Sequence, residues 1–156
     1  MSYELRAVIA ESALLASVTR GMDAARVVVL RQGLALLPMS AALSKAVTDA
    51  AQARRADFWN LPAGFDRVLA DWSEEGPVAY VESEYFGGVG EENVAVWRDG
   101  HLTLGPLHLL EDELMPPEGT PVCRALRALG AVAGAGGDEF TSVGLGEHRW
   151  TEKWPT

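Results

Sequence analysis

Cysteine is almost missing from this chain: there is one, Cys123. A lone cysteine forms no internal disulfide, so a scaffold stapled by cross-links is excluded. A reducing cytosol is the natural compartment for such a chain. Lysine is scarce too. Only Lys45 and Lys153 accompany eleven arginines, and beside so much alanine and glycine this arginine excess reads as codon usage, not as a binding signal. The three histidines are His101, His108 and His148. None stands at a helical i, i+4 spacing to another, and none sits in a Cys/His cluster, which disfavours a zinc site. No apolar run reaches the ~18 residues of a spanning helix. Glu4 and Glu11 interrupt the first twenty residues, where a secretory leader would be basic and then unbroken apolar. A GxSxG elbow and a GK[ST] phosphate loop are also lacking. The expectations are a cytoplasmic protein with no cofactor and no metal.

What is present suits a single globular domain, 1–156. Apolar residues make up 48% of the 156 positions and charged residues 22%, enough to bury a sizeable core and too apolar for global disorder. The 22 acidic residues outnumber the 13 basic ones, for a net charge of −9. Such a surface repels nucleic-acid phosphates and anionic membranes and attracts basic proteins. The expected partner is therefore a basic protein, with no nucleic acid and no membrane.

Hydrophobic periodicity sketches the elements. Residues 3–10 alternate partly, as a first strand does. Val27 to Leu30 form a continuous apolar, β-branched run that reads as a buried strand within 26–38, with Gly33 marking a bend. Ser40 is placed to cap a helix running through 40–56. Phe65, Val68, Leu69 and Trp72 share one helical face, and Gly76-Pro77 ends that helix. Residues 78–86 read as a strand with Tyr80, Glu82, Glu84 and Phe86 on one face and Val81, Ser83 and Tyr85 on the other. Asp99-Gly100 between 93–98 and 101–107 is a strong hairpin signal. Thr120 precedes Pro121 as cap and first residue of a helix ending before Gly130, with Cys123 as a half-buried, inert member. A glycine-rich loop follows, and 140–146 (FTSVGLG) reads as a last strand. The layout predicts an α+β fold, a mostly antiparallel sheet with helices packed on one face.

Three glycines, Gly87, Gly88 and Gly90, invite comparison with a phosphate cradle. A cradle needs a helix after the glycines, and here a strand follows, with Glu91 and Glu92 to repel an anion. A turn requiring positive φ is the better reading. Glu82 and Glu84 share a strand face, the arrangement in which paired carboxylates do acid–base work if burial separates their proton affinities. A solvated sheet face is the plainer alternative. His148, Arg149 and Glu152 form a polar group near the end of the sequence. Trp59 and Trp72 read as packing residues and Trp97 as strand-borne. Trp150 and Trp154 are expected to dock back onto the body, since large apolar side chains are disfavoured in water.

The stretches AYVESEYFGGVGEENVAVWRDG and GLGEHRWTEKW resemble a group of small, uncharacterised bacterial cytosolic proteins sharing the pattern YFGGVG…AVW and GL..HR.TE.W. The resemblance covers the C-terminal half. It implies that any shared site includes Glu84, Tyr85, Gly87, Gly88, Gly90, His148, Arg149 and Glu152. In size and acidity alone the chain also resembles immunity proteins, which neutralise a cognate toxin.

The leading expectation is thus a small acidic binding protein of the immunity or inhibitor class, with Glu82, Glu84, Tyr85, Gly87, Gly88, Trp97, His148, Arg149 and Glu152 as binding candidates. The alternative is a small enzyme of unspecified reaction that gathers Glu82, Glu84, Tyr85, His148 and Arg149. A third reading is a homo-oligomer that pairs through an edge strand or the Trp150/Trp154 tail.

Overall fold

A computed structural model describes residues 2–155. Strands β1 (Ser2–Glu11), β2 (Val28–Val29), β3 (Leu34–Pro38), β4 (Val78–Phe86), β5 (Val89–Arg98) and β6 (His101–Leu109) form one sheet in the order β2-β3-β1-β4-β5-β6. Every neighbouring pair in it is antiparallel. The helices are α1 (Ser12–Val18), α2 (Ala41–Val47), α3 (Phe65–Trp72), α4 (Pro121–Ala128) and α5 (Glu139–Val143). The fold is α+β, as expected.

The layering differs from expectation, because helices cover both faces of the sheet. Leu5, Ala7, Ile9, Ala79, Val81, Val94 and Val96 pack with residues of α4 and α5 and with Trp154. Val8, Ala10, Val78, Tyr80, Ala95 and Trp97 pack with residues of α1, α2 and α3. The central strands carry apolar residues at consecutive positions, as in Ala7–Ala10, Val78–Val81 and Val94–Trp97. Neither side of the sheet centre therefore suits water.

Two hairpins organise the sheet's far half. Phe86 pairs with Val89 across Gly87 and Gly88, whose φ angles are 61° and 85°. Arg98 pairs with His101 across Asp99 (φ 53°) and Gly100 (φ 80°). Positive φ at both central positions gives a turn whose twist matches its strands. The glycines at 87 and 88 thus reverse the chain between two strands.

Caps explain several helix boundaries. Ser40 accepts a hydrogen bond from Leu43 N, and Thr120 accepts one from Cys123 N with Pro121 in the first turn. α2 stops at Val47 instead of continuing to about residue 56. The Asp49 side chain accepts from Ala51 N, a local turn that competes with helix propagation.

Residues 26–38 form two strands, not one. Gln32 and Gly33 turn at φ 62° and 76°, and Val29 is 75% exposed. Residues 140–146 do not form a last strand. Asp138 caps α5 by accepting from Thr141 N, and Gly144 closes it at φ 94°. Cap and stop outweigh the β propensity of Thr141 and Val143. Trp72 is buried as read, whereas Trp59 is half-exposed at the surface.

The tail docks through Trp154, which is buried in the α4–α5 core. β3 pairs with β1 only from Ala7 onward, leaving the first residues of β1 as an edge. The tail occupies it: Glu4 N donates to Arg149 O at 2.7 Å, and Arg6 N donates to Thr151 Oγ1 at 3.0 Å. Backbone donors that would otherwise lack partners are satisfied in this way.

Candidate functional site

The end of the sheet carrying the β4–β5 turn has a cleft on each face. The cleft on the α4–α5 face holds about 430 Å³ and is lined by Tyr3, Ser83, Tyr85, Gly88, Glu92, Cys123, Asp138, Phe140 and Arg149, among others. Strand alternation places Glu92 on the same face as Val94 and Val96, so its carboxylate enters the structure at a core position. It is 4% exposed. Tyr85 Oη donates to Glu92 Oε2 at 2.6 Å, and Val122 N donates to Glu92 Oε1 at 2.9 Å. Val122 lies in the first turn of α4, where backbone N–H groups lack intrahelical partners.

Burial raises the pKa of Glu92 above its ordinary 4.5, against the opposing pull of hydrogen bonds from Tyr85, Val122 and Thr120. Burial, followed by the bond to Glu92, pushes the Tyr85 phenol well above its usual range. Burial likewise raises the Cys123 thiol, so Cys123 stays protonated and unreactive near neutral pH.

Glu92 carries a pH signature. A carboxyl group whose pKa rises on folding keeps its proton in the native state after the unfolded chain has lost it. Its contribution is complete below 4.5 and is lost as pH climbs through the raised native value. In urea unfolding from about pH 4 to about pH 7, the wild type should lose stability relative to Glu92→Gln. A difference that stays flat across that range would contradict the assignment.

Gly90 stands opposite Tyr85. A Cβ there would collide with the Glu84 carbonyl oxygen and lie 2.6 Å from two carbons of the Tyr85 ring. Glycine at 90 therefore gives the ring room to lie across the neighbouring strand.

The cleft on the other face holds about 380 Å³ and is lined by Trp59, Glu84, Phe86, Val89, Gly90, Glu91 and Glu111. Its apolar members are open to solvent: Phe86 is 78% exposed, Val89 48% and Trp59 36%. Glu84, Glu91 and Glu111 join no ion pair among the described residues.

Glu82 lies behind this second cleft. It is fully buried and accepts four hydrogen bonds. Trp59 N donates to Oε1 at 2.8 Å, Asn60 N to Oε2 at 2.7 Å, Tyr80 Oη to Oε2 at 2.8 Å and Asn93 Nδ2 to Oε1 at 3.3 Å. Asn93 Oδ1 in turn lies 2.6 Å from His108 Nδ1; an amide oxygen only accepts, which assigns the proton to that ring nitrogen. Glu82 thereby ties the loop carrying Trp59 to the sheet.

The sequence candidates separate accordingly. Tyr85, Gly88 and Arg149 line the first cleft, with Gly87 beside them in the turn. Glu84 lines the second. Glu82 shares a face with Glu84, as read, but is an anchor and not a member of either lining. Trp97 is a core residue. Glu152 accepts from Ala41 N at 2.9 Å, holding the tail to the start of α2. His148 packs edge-on against Trp154 with ring centroids 4.8 Å apart, on the sheet face opposite Glu82.

The five-residue constellation proposed for an enzyme is therefore not assembled. Among the described residues His148 makes no hydrogen bond to Glu82 or Glu84, and only Tyr85 and Arg149 share a cleft. The alternation of a strand explains this, since neighbours in sequence point to opposite faces. Glu92, Tyr3 and Asp138 were overlooked. Only Glu92 had a signal, its spacing of two and four residues from Val94 and Val96.

Among the described residues no group of three or more His, Cys, Asp or Glu side chains is placed to hold a metal ion, and no helix is long and apolar enough to cross a membrane. Comparison with protein-family models, curated proteins and solved structures finds no match.

Proposed function

We propose that this chain is a small acidic binding protein of the immunity or inhibitor class, which captures a basic protein through the cleft bounded by Trp59, Phe86 and Val89. The observation that carries this reading is the pairing of exposed apolar side chains with the uncompensated carboxylates of Glu84, Glu91 and Glu111. Aromatic anchors supply affinity at interfaces, and surrounding charge steers encounter and selects the partner. A second copy of the chain suits this surface less well, because each copy carries a net charge of −9 and like charges facing each other are unfavourable. The acidic cleft also supports the expectation that neither nucleic acid nor an anionic membrane is the partner.

The test is affinity capture from a lysate of the source cell at low salt, with wild-type bait and a Glu84→Lys/Glu91→Lys/Glu111→Lys bait. The wild type should retain a basic protein, encoded in the best case directly upstream as a toxin. The charge-reversed bait should lose that partner by roughly 100-fold or more in affinity, since close charge pairs at interfaces couple strongly. Recovery of no basic protein, or equal recovery on both baits, would refute the reading.

A further inference from the structure

The cleft on the α4–α5 face holds a buried carboxylate with no cation beside it. Glu92 is 4% exposed, its hydrogen bonds come from the neutral donors Tyr85, Val122 and Thr120, and it belongs to none of the ion pairs among the described residues. A buried carboxylate is costly unless something compensates its charge. Three donors leave part of its acceptor capacity open, because each carboxylate oxygen offers two sites.

The walls are aromatic. Tyr3 and Phe140 meet edge to face with centroids 5.5 Å apart, and Tyr85 joins them in the lining. Ring faces attract cations, most strongly where water is scarce. Asp138 adds a second carboxylate at the exposed rim, and Arg149, also exposed, is the one base in the lining. Acids outnumber bases there, so an anion is poorly suited. A cavity of this size accommodates a small organic molecule.

We propose that this cleft binds a small organic monocation, an amine on a flat apolar body, with Glu92 as its counter-ion and the rings of Tyr3, Tyr85 and Phe140 as its walls. The ammonium hydrogens meet the open acceptor sites of Glu92. The apolar body lies against the rings, and the charge that burial disfavours gains its partner. With no cation beside it, burial raises the proton affinity of Glu92; an arriving cation favours the ionised form and opposes that shift. The inference is independent of the protein-binding reading, which concerns the cleft on the opposite face.

Isothermal titration calorimetry near neutral pH, with phenethylamine, phenethyl alcohol and phenylacetate as probes, tests it. Phenethylamine should bind at least about 10-fold more tightly than the alcohol, and phenylacetate should bind least, as expected for a charge-assisted hydrogen bond in a buried site. Glu92→Gln should weaken the amine by roughly 10- to 100-fold and leave the alcohol nearly unchanged. Phe140→Leu keeps the wall apolar and removes its ring face, so it should weaken the amine more than the alcohol. That second variant decides the matter if Glu92→Gln fails to fold by circular dichroism. Equal affinity for amine and alcohol, undiminished amine binding in Glu92→Gln, or no amine binding at millimolar concentration would each overturn the proposal.

Discussion

Glu82→Ala should destabilise the protein by on the order of 4 kcal/mol, among the largest single effects available to a polar residue. The carboxylate is fully buried and receives four hydrogen bonds. Removing it strands Tyr80 Oη and Asn93 Nδ2 inside the protein, at about 1–3 kcal/mol for each buried unsatisfied group. Trp59 N and Asn60 N lose their partner as well, although both residues lie at the surface and water can reach them in part. Glu82→Gln keeps the volume and one acceptor oxygen. Its amide nitrogen would face a donor, and the expected loss is about 2 kcal/mol.

Urea unfolding measures both variants. A shifted midpoint with an unchanged slope is the signature of lost native stability. A Glu82→Ala cost below about 1 kcal/mol would mean that the four bonds do not anchor the loop. Because Trp59 N is one of the donors, Glu82→Gln should also alter Trp59 fluorescence and weaken capture of a partner at the acidic cleft. That coupling makes Glu82 a positioning residue for a surface that it does not itself line.

Trp154→Ala should cost about 3–5 kcal/mol, the range for emptying an aromatic site in a core. Trp154 is buried in the same core as Val28, Val143 and Leu145, and its removal also loosens the tail that covers the start of β1. Trp154→Phe should be far milder, about 1 kcal/mol or less. The indole Nε1 is buried without a hydrogen-bond partner, so phenylalanine loses some packing but also removes an unsatisfied donor. Trp150 lies four residues earlier and is 47% exposed, and Trp150→Ala should stay within about 0.5 kcal/mol of wild type. Thermal unfolding of the three variants gives the ranking. Similar losses for Trp150→Ala and Trp154→Ala would show that the tail is not held by Trp154.

The two tryptophans mark one boundary of what could be read directly. Their apolar bulk argued that both dock back; Trp154 does, and Trp150 stays 47% exposed against that expectation. Which of the two is inserted depends on where β3 leaves β1 and exposes an edge for Arg149 and Thr151 to cover. Glu82 marks another. Its shared face with Glu84 followed from alternation, yet one is buried and the other exposed. The loop at Trp59 and Asn60 covers only Glu82, and that loop is more than twenty residues away in sequence.

Local chemistry was sufficient by itself for the α+β class, the Gly87-Gly88 and Asp99-Gly100 reversals, the Ser40 and Thr120 caps and the acidic surface. Each depends on residues within a few positions of one another or on a simple count. Tertiary structure alone decided that helices cover both sheet faces and that 140–146 holds the end of α5 and a turn, not a strand. It likewise separated His148 from Glu82 by the thickness of the sheet and placed Glu92, Tyr85 and Phe140 around one cleft. These outcomes depend on which distant segments meet across the β4–β5 hairpin. Burial and hydrogen-bond satisfaction over the whole chain settle that, and neither is a local property.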